Sequence, residues 1–437
     1  MTYQPTDVVE VRAWRSLVGA VALDPATGVY AFEYAPEWIT RGIELAPLHM
    51  PLASRPYEFP GLSRTTYYGL PALLADALPD AFGNALVNAW MAEQGVAPGE
   101  ITALDRLAYA ADRAMGALEF VPPARDDTDP IPSAVLLADL VVAARRTVRG
   151  QFGDDDGSRS ALQQLIKVGT SAGGARAKAV VAFNPDTYQV HSAYEHPDDG
   201  FEQWIIKLDG VSGTGMDGHG DRLGETAPYG RVEFAYYLMA TAAGIDMSPC
   251  RLLDEGPRRH YMTKRFDRGA GGERVHMLSL CALAHLDYNM IATHSYDQFL
   301  FTVTELGLGG GALAQAFRRM VFNVAAVNND DHTKNIAFLL HENGPWELAP
   351  AYDITHAYRP DSAWTAQHLM AVNGRFSGIG LTDLHEVGER HHVPGYRRIV
   401  REVLAALEEW RAFATKAGVD EVTAAAIAED MAAQRPS

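Results

Sequence analysis

Asn329-Asp330-Asp331-His332-Thr333-Lys334-Asn335 is the stretch on which the reading of this chain turns. It sets Asp330 five residues before Asn335, between an apolar, helix-like run (MVFNVAAV, Met320–Val327) and a strand-like run (IAFLL, Ile336–Leu340). Two adjacent aspartates, a histidine and two asparagines are costly beside buried segments unless ions or hydrogen bonds satisfy them. Phosphoryl transfer uses such a pairing: a carboxylate beside the attacking hydroxyl, and an oxygen ligand for Mg²⁺ a few residues on. A plain polar turn between two elements is the alternative, because the spacing by itself is common.

Working outward, the other parts that phosphoryl transfer needs follow in the order protein kinases use. Eighteen residues after Asn335, Asp353 closes the second strand of an expected hairpin (IAFLL…WELAPAYD), where kinases hold a metal-binding aspartate. Taken alone, an aspartate there is as ordinary as a turn or cap. Upstream, Gly169-Thr170-Ser171-Ala172-Gly173-Gly174-Ala175-Arg176-Ala177-Lys178 runs into a strand. Its small residues would let backbone N–H groups approach phosphate oxygens, with Arg176 or Lys178 supplying charge. A flexible turn fits the same letters. Lys207, in the apolar run Trp204-Ile205-Ile206-Lys207-Leu208, is a costly strand residue unless its ammonium meets a partner. Glu233, on the helix expected over about Arg231–Ala243, is the candidate; an edge-strand lysine reaching solvent is the other reading. Thr263-Lys264-Arg265-Phe266-Asp267-Arg268 ends the last strand of this half, where the hinge that holds adenine would fall.

Strand-like runs dominate early: VVEVRAW and GVYAFEYA around the turn DPATG, then AKAVVAFN, TYQVHSAY, QWIIKLD and RRHYMTKRF. Residues 70–115 read as helical, a Pro- and Asp-rich break follows at Pro122–Pro132, and a Gly-rich stretch covers 209–230. Beyond Arg268 the chain reads as largely helical. The expected class is α+β, a two-lobed protein-kinase-like fold: an extra N-terminal subdomain over 1–125, a strand-rich N-lobe over 126–266 and a mostly helical C-lobe over 267–437. An apolar content of 47% suits sizeable cores, and a formal charge of −18 argues against direct nucleic-acid binding. Cys250 and Cys281 make neither a disulfide framework nor a four-ligand zinc site. With no secretory pattern and no spanning run, a cytoplasmic protein is expected, with no membrane partner.

The Ser171–Lys178 loop, the Trp204–Lys207 strand, Arg265-Phe266-Asp267-Arg268, the Asp330–Asn335 loop and Tyr352-Asp353 together resemble the HipA family of serine/threonine kinase toxins. Leu78-Pro79-Asp80 and Met115-Gly116-Ala117-Leu118-Glu119-Phe120 resemble the family's small N-terminal subdomain, so the resemblance covers nearly the whole chain. It implies ATP and Mg²⁺ as cofactors. Asp330 would be the catalytic base, Asn335 and Asp353 the metal ligands, and His332 and Tyr352 would lie at the nucleotide. Lys207 would bind phosphates with Glu233 as its partner. Gly173, Gly174, Ala175, Arg176, Ala177 and Lys178 would cover the phosphates, and Lys264, Arg265 and Phe266 would form the hinge. Ser171 falls where family members autophosphorylate. The implied partners are a DNA-binding HipB-like antitoxin and a protein substrate of the translation machinery, such as glutamyl-tRNA synthetase. Asp331 departs from the family pattern, standing where glycine can occur. A small-molecule phosphotransferase with a kinase-like core, and a non-catalytic nucleotide- or antitoxin-binding module, are the rival readings.

Overall fold

The computed structural model describes residues 5–124, 137–148, 165, 177–193, 200–211, 229–256, 258–269 and 271–437. Ser171, Gly173, Gly174, Ala175 and Arg176 lie outside the described residues, as does most of the Gly-rich stretch. The chain divides into two compact units: Met1–Ala227 with Asp254–Leu278 and Leu340–Gly344, and Pro228–Leu253 with Ser279–Leu339 and Pro345–Ser437.

In the first unit, β1 (Val8–Ala13), β2 (Ser16–Asp24), β3 (Val29–Tyr34) and β4 (Leu118–Val121) form an antiparallel sheet of order β3-β2-β1-β4. The turn DPATG joins β2 to β3 as expected: the Asp24 carboxylate accepts from the Ala26 N–H, and Gly28 takes φ +66°. The β1–β2 turn carries no such signal. Trp14 and Arg15 hold its two positions at φ +48° and +63°, the left-handed pair that a two-residue hairpin demands. Trp14 is held there by stacking on Trp38, at 6.1 Å and 8° between planes, and by donating its indole N–H to Arg274 O at 2.7 Å.

The second sheet of this unit has the order β6-β5-β7-β9-β8, from β5 (Lys178–Phe183), β6 (Val190–Ser192), β7 (Glu202–Lys207), β8 (Cys250–Glu255, of which Asp254 and Glu255 fall in this unit) and β9 (Arg258–Lys264). Every residue of β5 is buried, which is why it reads as a continuous apolar run. Antiparallel pairing sets Lys178 opposite Lys207, and like charges directly opposite repel unless each finds a partner. The Lys178 ammonium lies 3.3 Å from Asp80 Oδ2, with both side chains almost fully buried. Asp80 is also the N-cap of the helix Ala81–Glu93, accepting from the Gly83 N–H through its other oxygen at 2.7 Å. The Lys207 ammonium sits over the ring of Tyr261, 5.7 Å from its centre.

The run Arg265-Phe266-Asp267-Arg268 becomes a buried hub. Asp267 accepts from Arg265 Nε (2.9 Å) and Nη2 (2.7 Å), from Arg268 Nη1 (2.8 Å) and from the Gly116 N–H (2.7 Å). Arg268 returns to the same stretch by donating to Gly116 O and Ala114 O. Gly116 is required here: its φ is +79°, and a Cβ would lie 2.9 Å from Met277 N. The Met115–Phe120 and Arg265–Arg268 motifs therefore meet in one joint within this unit, the second supplying the ion pairs and the first the Gly116 backbone.

His276 is fully buried and shares a 3.0 Å hydrogen bond with Leu45 O through Nε2. Burial pushes its pKa down to about 4. The unfolded chain binds this proton near pH 6.5 and the folded chain does not, so its stabilising contribution is whole above that value and is lost as pH falls toward 4. His276→Gln keeps an N–H donor without the titration, and should remove about 3 kcal/mol of the acid-side loss. Denaturant melts of both proteins at several pH values between these limits check it, and parallel curves would refute it.

The second unit is built on the helices Tyr229–Ala242, Tyr296–Glu305 and Gly309–Ala325, followed by Leu381–Arg390, Tyr396–Glu408, Trp410–Ala417 and Glu421–Ala433. Tyr236 packs edge-on against Phe322 and Trp410, and its buried hydroxyl donates to Ala326 O at 2.6 Å. After β10 (His276–Ser279), at the boundary between the units, come β11 (His294–Ser295), β12 (Ala337–Leu340), β13 (Trp346–Leu348) and β14 (Met370–Ala371). β11 and β14 pair in parallel, and β12 and β13 are hydrogen-bonded neighbours, the expected hairpin. Among the described residues no helix is long and apolar enough to cross a membrane.

Candidate active site

The helix Gly309–Ala325 delivers the chain into the Asn329–Asn335 loop. It ends with Ala326, and Val327 follows at φ +57°, a strained value for a β-branched residue. The neighbouring segment pins it: the Ala357 N–H donates to Val327 O and the Asn329 N–H donates to Ala357 O, both at 3.1 Å. Asn328 closes the turn backwards, its amide donating to Asn323 Oδ1 at 3.0 Å.

The next three residues each grip the stretch Ser362–Leu369. Asn329 Nδ2 donates to Thr365 O at 3.0 Å. Asp330 Oδ1 accepts from the Trp364 indole N–H at 2.7 Å. The buried Asp331 accepts from the Leu369 N–H (2.7 Å) through one oxygen, and bonds His368 Nδ1 (2.9 Å) and accepts from the Tyr296 hydroxyl (2.7 Å) through the other. Burial, with the Asp331 carboxylate beside it, holds the Tyr296 phenol well above its ordinary pKa, so it remains a donor. Asp331 is a satisfied anchor, whereas Asp330 is half-exposed and its Oδ2 has no partner among the described residues.

His332 Nε2 lies 3.7 Å from Asp330 Oδ1, and its ring packs between Tyr288 and Trp364. The short turn Thr333–Asn335 follows, anchored by the Thr333 hydroxyl donating to Leu286 O at 2.6 Å. Asn335 Nδ2 donates to the Asp330 carbonyl at 2.9 Å, so the amide oxygen is the atom left for a ligand. The hairpin then brings the chain back to Tyr352, whose hydroxyl donates to Lys334 O at 2.8 Å. Asp353 comes next at φ +56°, a left-handed value that aspartate tolerates better than most residues. One side of this strand is held by buried Arg319, which donates to Ala349 O at 2.7 Å.

Asp330, His332, Asn335, Tyr352 and Asp353 thus fall in one unit, and the Tyr352–Lys334 hydrogen bond ties their two loops together. Glu233 belongs to this unit too, buried on the helix Tyr229–Ala242. Ala177, Lys178, Lys207, Lys264, Arg265 and Phe266 belong to the first. Of these, Lys264 donates to Glu202 at 2.6 Å, and the Arg265 N–H is committed to Gln203 O at 2.9 Å. Trp364, His368 and Tyr296 escaped the sequence reading. The one signal for Trp364 was a large aromatic in an otherwise polar run, Asp361-Ser362-Ala363-Trp364-Thr365.

The donor set suits a hard cation. Among the described residues no three His, Cys, Asp or Glu side chains gather as a metal cluster. One amide oxygen, oriented by its own N–H₂, and one carboxylate are what Mg²⁺ takes when substrate phosphates and waters supply the rest.

Residues 170–437 match the HipA-like C-terminal domain family, and residues 9–121 match the HipA N-terminal domain family. Among solved structures, the chain is similar to HipA of the Shewanella oneidensis MR-1 toxin–antitoxin system, solved with HipB and operator DNA. The TM-score is 0.65 at 16% identity, over 97% of this chain and 95% of that one. A slighter likeness to the Helicobacter pylori proinflammatory kinase CtkA carries no argument: TM-score 0.30, 11% identity, 52% of this chain and 92% of that one. No curated protein matches. The expected α+β class stands, with a strand-rich N-terminal region and a largely helical C-terminal region, and by both of its domains the chain belongs to the HipA family.

Proposed function

We propose that this chain is an ATP- and Mg²⁺-dependent serine/threonine protein kinase of the HipA type, a toxin restrained by a HipB-like antitoxin. The observation that carries the reading is the division of labour in the Asn329–Asn335 loop. Asp331 is fully bonded and fixes the backbone, while Asp330 keeps one carboxylate oxygen open and Asn335 keeps its amide oxygen open. A loop serving only as a turn has no need to bury one aspartate as an anchor and leave its neighbour half-exposed.

In this reading Asp330 orients a serine or threonine hydroxyl and accepts its proton as the hydroxyl oxygen bonds to the γ-phosphorus and the bond to ADP breaks. Asn335 and Asp353 would hold Mg²⁺, which when bound neutralises charge on the phosphate oxygens. Lys207 would contact the phosphates, His332 and Tyr352 would lie beside the nucleotide, and Lys264 to Phe266 would flank adenine. Ser171 would be the autophosphorylated residue and the protein target a translation component, both by family resemblance. The net charge of −18 suits a protein antitoxin, rather than this chain, as the DNA-contacting partner.

Incubating the purified chain with γ-labelled ATP and Mg²⁺ tests this, with bacterial extract in one reaction and sugars or aminoglycosides in another. Label on protein serine or threonine, with phosphate at Ser171 by mass spectrometry, is the expected result. Label on small molecules alone would make it a small-molecule phosphotransferase. Nucleotide binding without transfer would make it a non-catalytic module.

A further inference from the structure

The stretch Ser362–Leu369 is bound to the catalytic loop residue by residue, and the middle contact falls on the proposed base itself. Asn329 holds Thr365 O, Asp331 holds His368 and the Leu369 N–H, and between them the Trp364 indole reaches Asp330 Oδ1 at 2.7 Å. The stretch is itself braced. Ser362 Oγ accepts from the Trp364 and Thr365 N–H groups at 3.2 and 3.3 Å, and the His368 N–H donates to Phe376 O at 2.9 Å. The indole therefore hangs from a backbone fixed on both sides of it.

A carboxylate on a loop rotates about its last torsion unless something holds it, because that torsion is broad and roughly two-fold. Other groups near the Asp330 side chain do not fix it. His332 Nε2 is 3.7 Å away, beyond hydrogen-bond range, and Asn335 bonds the Asp330 backbone carbonyl rather than the carboxylate. Among the described residues Trp364 supplies the single short hydrogen bond to it. An indole N–H only donates, so it accepts no proton and cannot compete with the carboxylate for the substrate's. The contact also packs Trp364 against the His332 ring, at 6.0 Å between centres.

We propose that Trp364 is the positioning residue for Asp330. Its indole N–H holds Oδ1 and so turns Oδ2, the open oxygen, toward the hydroxyl to be phosphorylated. This rests on the kinase reading above, and it adds a residue from a segment which that reading left unassigned. The effect falls on the chemical step, since the indole N–H bonds the carboxylate that takes the proton, and the analogue keeps the ring that packs on His332.

The decisive probe replaces Trp364 by benzothienylalanine, which keeps the bicyclic shape and exchanges only the N–H for sulfur. Trp364→Phe serves as the second variant. The expected result is a fall in kcat of about tenfold, the loss of one hydrogen bond to a charged group, with KM for ATP and the melting temperature unchanged in the analogue. In the wild-type spectrum the Trp364 indole resonance, identified by its absence from Trp364→Phe, should shift in Asp330→Ala. Wild-type kcat in the analogue would overturn the proposal. So would losses of kcat that track a lowered melting temperature, which mark a packing role. Wild-type transfer is measured first: a wild-type protein that transfers no phosphate brings down the kinase reading and this inference with it. An active wild type with an unaffected analogue brings down this inference alone.

Discussion

Asp330→Asn is expected to lower kcat for the proposed phosphoryl transfer by about a thousandfold and to leave ATP affinity within a few-fold of wild type. The substitution is nearly isosteric, and what it leaves alone decides the outcome. Asn335 bonds the backbone carbonyl of residue 330, which the exchange does not touch, so the amide oxygen proposed to meet Mg²⁺ stays in place. The side-chain amide oxygen still accepts from the Trp364 indole. Asp331, Asn329 and Thr333 keep the loop clamped through groups that residue 330 does not share. What is removed is the negative charge and the open carboxylate oxygen that would orient the hydroxyl and take its proton. Calorimetric ATP binding beside single-turnover transfer separates the two effects. Unimpaired transfer would rule out Asp330 as the base, and a collapse of binding would give it a structural role instead.

How much of this was legible in the sequence depended on how local the physics was. The Asp330–Asn335 spacing lies on one loop, its flanking apolar runs were visible as such, and the WELAP strand that leads back to Asp353 was read correctly as a hairpin partner. The β1–β2 hairpin was not, because Trp14 and Arg15 occupy turn positions that carry no glycine or asparagine, and what holds them there is Trp38 and Arg274. Asp331 looked like a departure from the family. The structure gives it a physical reason, since Tyr296, His368 and Leu369, all at least 35 positions away, need a buried acceptor. The Gly-rich run offers Arg176 or Lys178 as the charge beside the phosphates, and nothing in it points to an acidic partner for Lys178. Its ammonium lies 3.3 Å from Asp80, in the N-terminal motif Leu78-Pro79-Asp80, a pairing across the chain that no local pattern reveals.

The same lesson gives the largest expected effect on stability, at Asp267. Two guanidiniums and a backbone N–H converge on this carboxylate, and the side chains of Asp267 and Arg265 are essentially inaccessible to water. Burial acts to raise the Asp267 pKa, but Arg265 and Arg268, with the Gly116 N–H, outweigh it and hold the carboxyl well below the ordinary carboxylate range. Asp267→Asn keeps the shape and removes the negative charge on which the two guanidiniums converge. Breaking such a buried set from one side costs about 3–5 kcal/mol, a large part of the stability of a typical domain. The sign follows from linkage. A carboxyl whose folded pKa is depressed contributes fully above its unfolded value, near 4, and loses that contribution as pH falls toward the folded one. Asp267→Asn should therefore be destabilised most at neutral pH, with the gap to wild type narrowing below about pH 4. Denaturant midpoints across that range check both statements. A gap of constant size would mean that Asp267 acts through shape and hydrogen bonding alone, and a neutral-pH loss under about 1 kcal/mol would mean that the guanidiniums find other partners.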